Sequence, residues 1–281
     1  MKQKYTAAWV GFTAAALVAT AGCGAGATKE TAEQAAKAVG NADKVMAVLS
    51  RAADRTEELG SAEVKMSTSI DGGAPIAMDG TYSWGDGYAF DVEMDTKAVQ
   101  MQELTDAPKV RCLFVDGDYY YDVDPQPSGP LAGKEWMKID GSAVFGEGAD
   151  QALSGSSGGS PSASMKSLKY AEDVEDLGAE TVNGQRTTHY RAVLGKSDMG
   201  KLKELYGDDE SLYNSMLGAD GSLTMDIWVG DKDLPVRLTQ ETGAMKVTMD
   251  FEKFGATADV AAPPAAQTGD LTEVLKAANG Q

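Results

Sequence analysis

The sequence predicts an α+β protein whose body is an antiparallel β-sheet built from hairpins. The strongest observation is Asn183-Gly184, because both central positions of a two-residue type I′ turn need positive φ. β-Branched and aromatic residues alternate with polar ones on either side, which predicts strands at 173–182 and 185–194. Further stretches place apolar residues at every second position, whereas helical spacing is confined to a few segments. Together these observations favour one large β domain with few helices.

The first 22 residues have the organisation of a secretory signal peptide, with a basic start and an apolar run that is short for a transmembrane helix. The run ends in Thr20-Ala21-Gly22-Cys23, and small residues before a cysteine are typical of lipoprotein processing. The sequence therefore predicts acylation of Cys23, with palmitate as an expected acyl group, on the extracytoplasmic face of the cell membrane. The alternative is ordinary secretory cleavage after Ala19-Thr20-Ala21.

Three segments follow the predicted signal peptide. Residues 23–40 are polar and rich in alanine and glycine, and we interpret them as a flexible tether. Residues 41–265 are predicted to form a single domain, which is long enough to bury a core without disulfides. Residues 266–281 are interpreted as a C-terminal tail that contains one short helix.

The predicted domain begins with a helix at 42–59, where Val45, Leu49 and Ala52 lie on one helical stripe. Strands with alternating apolar residues follow, and Asp116-Gly117 marks a further hairpin turn. The predicted strand regions are a strand and hairpin within 61–94, then 109–115, 118–123, 136–139, 223–229, 235–240 and 245–251.

Two stretches interrupt the predicted strands. Residues 140–163 show no periodicity, and the Gly/Ser/Pro-rich run 154–164 predicts a mobile loop. One helical turn is expected at 165–170. The apolar spacing within 199–217 predicts two short helices, which we interpret as a lid.

Three runs of sequence carry a resemblance to a known family. They are DLGAETVNGQRTTHYR at 176–191, DIWVGDKDLPVRLTQ at 226–240 and FGATADVAAPP at 254–264. In the order and spacing of these runs, the chain from about residue 43 to residue 265 resembles the LppX/LprG-like lipoproteins of actinobacteria, which are related to the LolA/LolB carriers. The resemblance implies a strongly curved antiparallel sheet, or half-open β-barrel, whose concave face is covered by helices and holds lipid.

The charge balance argues against some classes of partner. The chain carries 43 acidic and 25 basic residues, a formal net charge of −18. No basic patch is visible that could bind nucleic acid phosphates or hold anionic lipid headgroups. Membrane attachment is therefore expected to be covalent, and the protein is expected to be a monomer that binds no nucleic acid.

Few residues have the spacing that catalysis or metal binding requires. His189 is the single histidine, so multi-histidine metal sites are excluded, and its mid-strand position favours a structural role or solvent contact. The GxSxG pattern at 155–159 lies in low-complexity sequence, and we interpret it as a chance match. The Asp-rich segment 116–124 lacks EF-hand spacing, and Cys112 is expected to be a small buried hydrophobe. We expect no catalytic residue, metal or cofactor.

The remaining candidates are apolar residues at alternating strand positions, which we predict to line one shared space for a lipid or glycolipid. They are Met66, Tyr82, Phe90, Val92, Phe114, Met225, Ile227, Val247 and Met249. Inward-facing methionine and aromatic side chains offer an adaptable apolar surface. The function that the resemblance implies is a lipid carrier or chaperone of the cell envelope. The alternatives are an envelope interaction or sensor protein with a filled core, and an enzyme.

Overall fold

The computed structural model describes most of the chain from residue 27 onward. The residues after 26 that it leaves undescribed are 86, 146–159, 172–173, 196–197, 199–220, 244, 256–258 and 280–281. Contacts divide the chain into two units, Met1–Gly40 and Asn41–Gln281. Cys23, the predicted signal peptide and the predicted lid helices at 199–217 lie outside the described residues.

Helix α1 (Ala27–Leu59) precedes the sheet. It confirms the helix predicted at 42–59 and begins earlier, so helical residues occupy much of the segment interpreted as a flexible tether. Alanine, glutamate, lysine and glutamine dominate that segment, and these residues favour the helix over irregular chain. Within the second half of α1, Val45, Leu49 and Ala52 are buried as one stripe. Gly60, with a φ of +66°, ends the helix.

Twelve strands form one curved sheet that is not closed. They are β1 (Ser61–Ile70), β2 (Ile76–Ser83), β3 (Ala89–Asp95), β4 (Lys109–Val115), β5 (Asp118–Asp122), β6 (Trp136–Asp140), β7 (Val174–Val182), β8 (Gln185–Gly195), β9 (Ser222–Gly230), β10 (Pro235–Glu241), β11 (Met245–Phe254) and β12 (Thr268–Asp270). Their order across the sheet is β12-β6-β5-β4-β3-β2-β1-β11-β10-β9-β8-β7. Only β12 and β6 pair in parallel among these strands. The predicted α+β fold with an antiparallel sheet is confirmed.

Strands β7 and β8 form the predicted central hairpin. Asn183 has a φ of +50° and Gly184 a φ of +76°, so both turn positions have the positive φ expected of a type I′ turn. Val182 pairs with Gln185 to close the turn. The register of β7 shifts between Asp176 and Gly178, and this bulge interrupts an edge strand that would otherwise offer a regular ladder to another chain.

Three short α-helices lie among the described residues: α2 (Gly141–Phe145), α3 (Pro161–Ser167) and α4 (Thr272–Asn279). Single 3₁₀ turns occur at Leu168–Tyr170, within the helical turn predicted at 165–170, and at Ala265–Gln267. Helix α3 overlaps the run predicted as a mobile loop at 154–164, so this part of the loop prediction is wrong. The side chain of Ser160 accepts a hydrogen bond from the backbone N–H of Ser162, and Pro161 occupies the first helical position. Capping therefore starts a helix within a composition that is typical of loops.

The sheet continues beyond the predicted end of the domain at residue 265. Strand β12 pairs with β6, and the backbone N–H of Glu135 donates to the carbonyl of Gln267 at 3.0 Å. The backbone N–H of Leu271 donates to the carbonyl of Lys138 at 2.9 Å. The segment interpreted as a tail at 266–281 thus supplies an edge strand, because backbone pairing requires no alternating side-chain pattern.

Candidate hydrophobic binding face

The pairing register places the predicted lining residues on one face of the sheet, which we call the inner face. Residues that pair directly across antiparallel strands share a face. Phe114 pairs with Phe90, and Phe90 pairs with Tyr82. Met66 pairs with Met249 in the same way. The register also brings four further predicted residues onto this face, namely Val92, Val247, Met225 and Ile227.

Most of the inner face is packed. Seven of the nine predicted residues are buried, from Phe114 and Ile227 at 0% exposed to Met249 at 9%. Val45 and Leu49 of α1 belong to the same buried cluster. The indole N–H of Trp84 donates to the backbone carbonyl of Thr56 at 3.0 Å, which fixes α1 against the sheet.

The inner face is more open at the ends of β1 and β11, which we call the open end. Met66 and Val247 are only half-buried. Exposure then rises along β1 and β11 to Ile70 at 55% and Met245 at 41%, and these two residues pair directly. A strip of accessible apolar surface therefore leads from the ends of β1 and β11 to the buried cluster.

A connected array of aromatic rings crosses strands β2 to β5 on the inner face. Ring centroids are 5.5 Å apart for Tyr82 and Phe90, 5.5 Å for Phe90 and Phe114, and 4.8 Å for Phe114 and Tyr119. Tyr88 meets three of these rings edge-on, and its hydroxyl bonds to that of Tyr82. Aromatic pairs at such distances add about 0.5–1.5 kcal/mol each beyond their burial. The array is therefore a well-packed apolar wall.

Burial changes the pKa values of the tyrosine hydroxyls in and beside this wall. Burial raises the pKa of Tyr82 to about 12, although its hydrogen bond to Tyr88 acts in the opposite direction. Burial also raises the pKa values of the phenols of Tyr88, Tyr119 and Tyr121. These three side chains nevertheless keep accessible surface. These phenols therefore stay uncharged at neutral pH, as an apolar wall requires.

The thiol of Cys112 lies in the same region. It is free and buried, as predicted. Burial raises the pKa of this thiol to about 12. The thiol is therefore protonated at neutral pH and has little nucleophilic character.

Sequence reasoning missed Tyr119 and Tyr121 on the inner face because they lie in an ambiguous run. Tyr119, Tyr120 and Tyr121 are consecutive, so their pattern does not show which of them points inward. In the structure Tyr119 pairs with Phe114 and Tyr121 with Cys112, which puts both on the inner face. Tyr120 packs instead in a small cluster on the opposite, outer face. The signal that could have resolved the run is its hairpin pairing with β4, which places Tyr119 opposite Phe114 and Tyr121 opposite Cys112.

His189 lies on the outer face. Its Nδ1 atom is 3.0 Å from Oε1 of Glu180, and its Nε2 atom is 2.7 Å from Oδ1 of Asp226. The ring stacks on Trp228 with centroids 4.1 Å apart. Arg191 binds the same carboxylate of Asp226, with its Nε atom at 2.8 Å. This network joins β7, β8 and β9, which agrees with the structural role expected for His189.

Two further findings concern metals and membranes. No group of three or more histidine, cysteine, aspartate or glutamate side chains is placed to hold a metal ion in the part of the chain that the structure describes. Within the same residues, no helix combines the length and the apolar character that crossing a membrane requires.

Comparison with known proteins identifies relatives of unassigned activity and a shared fold. No family model matches the chain. It is 25% identical over 245 residues to an uncharacterized 31.2 kDa protein of Streptomyces griseus, encoded in the rplA-rplJ intergenic region, covering 82% of this chain and 80% of that protein. It is 28% identical over 237 residues to a candidate lipoprotein of Streptomyces coelicolor, covering 78% of this chain and 73% of the relative.

A solved structure has a similar architecture. The lipoprotein LppX of Mycobacterium tuberculosis superposes with a TM-score of 0.50 at 15% identity, over 78% of this chain and 99% of LppX. The predicted resemblance to the LppX/LprG-like proteins is thereby confirmed at the level of the fold.

Proposed function

We propose that this chain, which shares the fold of the lipoprotein LppX, binds acyl chains of a lipid or glycolipid on its inner face. Its role would be that of a lipid carrier or chaperone in the cell envelope. The observation that carries the proposal is the open end of the inner face, where Met66 and Val247 keep accessible apolar surface beside the buried cluster. Such surface is unfavourable in water by about 25 cal/mol per Å². A bound acyl chain would cover it.

The energetics of the ligand require an apolar site of this kind. An acyl chain of about 16 carbons gains roughly 13 kcal/mol on leaving water, at about 0.8 kcal/mol per CH₂. A protein that takes such a chain from a membrane must offer comparable apolar contact. The aromatic wall and the accessible strip toward Ile70 and Met245 supply that contact.

We also propose that the domain is anchored to the outer side of the cell membrane by acylation of Cys23. Support comes from the signal peptide pattern ending in Gly22-Cys23 and from the relative in Streptomyces coelicolor that is named a candidate lipoprotein. The acidic chain leaves covalent acylation as the anchor, because anionic headgroups would repel it.

Cys23→Ala is expected to move the protein from the membrane fraction into the medium. The reason is that the variant lacks the thiol that would carry the acyl groups. Fractionation followed by immunoblotting measures the distribution, with Cys112→Ala as the matched control that keeps the anchor. Complete retention of Cys23→Ala in the membrane fraction would show that another element anchors the chain.

Val247→Trp is expected to reduce binding of a fluorescent acyl probe strongly while changing the melting midpoint little. Val247 is half-buried at the open end, so the larger side chain fills ligand space instead of overpacking a closed core. Lys246→Trp is the matched control. Lys246 is the neighbour of Val247 in the chain, and its side chain is exposed on the outer face. Both variants are measured by probe fluorescence and thermal melting after delipidation.

Unchanged probe binding in Val247→Trp would remove the open end from the binding site. Equal loss of binding in both variants would point to a general effect of the added indole. Destabilisation of Val247→Trp without loss of binding would indicate a packed core at this position.

The packed part of the inner face favours a second candidate function. Val92, for example, is 2% exposed and lies between Gly80 and Cys112 in the neighbouring strands. If packing of this quality extended over the whole face, the protein would act as an envelope interaction or sensor protein with a filled core. Probe binding to the wild type separates the two candidates.

A further inference from the structure

A pocket of about 630 Å³ lies at the end of the sheet away from Ile70 and Met245. We call it the end pocket. Its walls are the last turn of α1, the turn between β7 and β8, the turn between β9 and β10, and the final residues of β11. Its volume falls in the range of about 300–1,000 Å³ that is usual for small-molecule sites. None of the nine predicted lining residues contributes to it.

The charges of the end pocket are unusual for this acidic chain. Its lining includes Arg186 and Lys232, both exposed and both without an ion pair among the described residues. Every other arginine binds a carboxylate, at 2.6–3.2 Å between nitrogen and oxygen. These pairs are Arg51 with Asp233, Arg55 with Glu58, Arg111 with Asp91, Arg191 with Asp226, and Arg237 with Asp250. Arg186 is therefore the one arginine without a carboxylate partner among the described residues.

The carboxylates near the pocket leave this positive charge largely uncompensated. Glu252 lines the pocket but is bound by Lys65 at 2.5 Å. Asp231 is the one lining carboxylate without an ion pair among the described residues, so the lining holds two unpaired cations and one unpaired carboxylate. A guanidinium presents a planar fork of donors that fits carboxylate and phosphate groups.

Apolar side chains form the other part of the lining. Leu59 and Phe254 are half-buried, and both line the pocket together with the buried Phe251. Phe251 and Phe254 stack with their centroids 5.5 Å apart. A cationic rim above an apolar floor matches a ligand with one anionic group and a short hydrocarbon part.

We propose that the end pocket binds an anionic amphiphile. Its carboxylate or phosphate lies at Arg186 and Lys232, and its apolar part lies on Leu59 and Phe254. This site is separate from the inner face, and the proposal does not depend on lipid binding there. A free anion such as phosphate would make only the contacts to Arg186 and Lys232. The test therefore compares ligands with and without the hydrocarbon part.

The test measures calorimetric binding of octyl phosphate, inorganic phosphate and octyltrimethylammonium to the purified protein. We expect octyl phosphate to bind more tightly than inorganic phosphate and the cationic amphiphile not to bind. In the double variant Arg186→Gln/Lys232→Gln the affinity for octyl phosphate is expected to fall on the order of tenfold or more, because charge-assisted hydrogen bonds are lost. The control Lys109→Gln/Lys246→Gln makes the same charge change at two exposed residues away from the pocket and is expected to keep wild-type affinity.

Three results would overturn the proposal. They are no octyl phosphate binding to the wild type, equal affinity in the wild type and the Arg186→Gln/Lys232→Gln variant, or equal affinity for inorganic and octyl phosphate. Val247→Trp separates this site from the inner face, since its octyl phosphate affinity is expected to equal that of the wild type. Loss of octyl phosphate binding in Val247→Trp would place the ligand on the inner face and contradict the end pocket.

Discussion

Gly80→Ala is expected to destabilise the protein by about 3 kcal/mol or more, at the upper end of what overpacking costs. Gly80 lies on the inner face of β2 and pairs with Val64 of β1 and Val92 of β3. A Cβ atom at this position would lie 2.1 Å from the carbonyl oxygen of Asp91 and 2.8 Å from Cα of Val92. Both are backbone atoms, so relief requires β2 and β3 to separate.

Urea and thermal unfolding measure this effect. Thr81→Ala is the matched control, since it changes the next residue of the same strand without adding an atom near a neighbouring backbone. We expect Thr81→Ala to reduce the free energy of unfolding by much less than Gly80→Ala does. A Gly80→Ala variant with wild-type stability would mean that the spacing of β2 and β3 differs from the one described.

Phe114→Ala is expected to reduce the free energy of unfolding by about 3–5 kcal/mol, the usual cost of emptying a large aromatic site in a core. Phe114 is 0% exposed. Its ring packs between Phe90 and Tyr119, with Tyr88 edge-on at 5.4 Å. Loss of this ring leaves a cavity in the middle of the aromatic wall.

Phe114→Leu is the control for size, because it keeps an apolar side chain at the same position. Its expected loss is clearly smaller than that of Phe114→Ala. The measurement is equilibrium unfolding in urea, with near-ultraviolet circular dichroism as a monitor of aromatic packing. Equal stability of the alanine variant and the wild type would mean that the wall is not part of the stabilising core.

The strands could be predicted from the sequence wherever apolar and polar residues alternate without interruption. Strand β1 and the hairpin at Asn183-Gly184 are examples, because period and turn chemistry both act locally. Alternation also identified which residues share the inner face. It could not separate Val92, at 2% exposed, from the half-buried Val247, since that difference depends on which distant residues pack over each position.

Other features depend on contacts between distant parts of the chain. Strand β12 joins the sheet through backbone hydrogen bonds to β6, and its three residues carry no recognisable pattern. Helix α3 begins at Pro161 because Ser160 caps it, although the surrounding composition favours a loop. The end pocket brings Arg186 and Lys232 together because β8 and β9 are neighbours, and nothing in either turn alone indicates a shared site.

The central claim is that the inner face binds an acyl chain. The most direct measurement is titration of the delipidated wild-type protein with a fluorescent fatty acid, together with mass spectrometry of the organic extract of protein purified from its native host. The account predicts saturable binding of the probe and an extracted lipid that copurifies with the protein. Absence of probe binding after verified delipidation, with no lipid in the extract, would contradict the account and leave the filled-core interaction protein in its place.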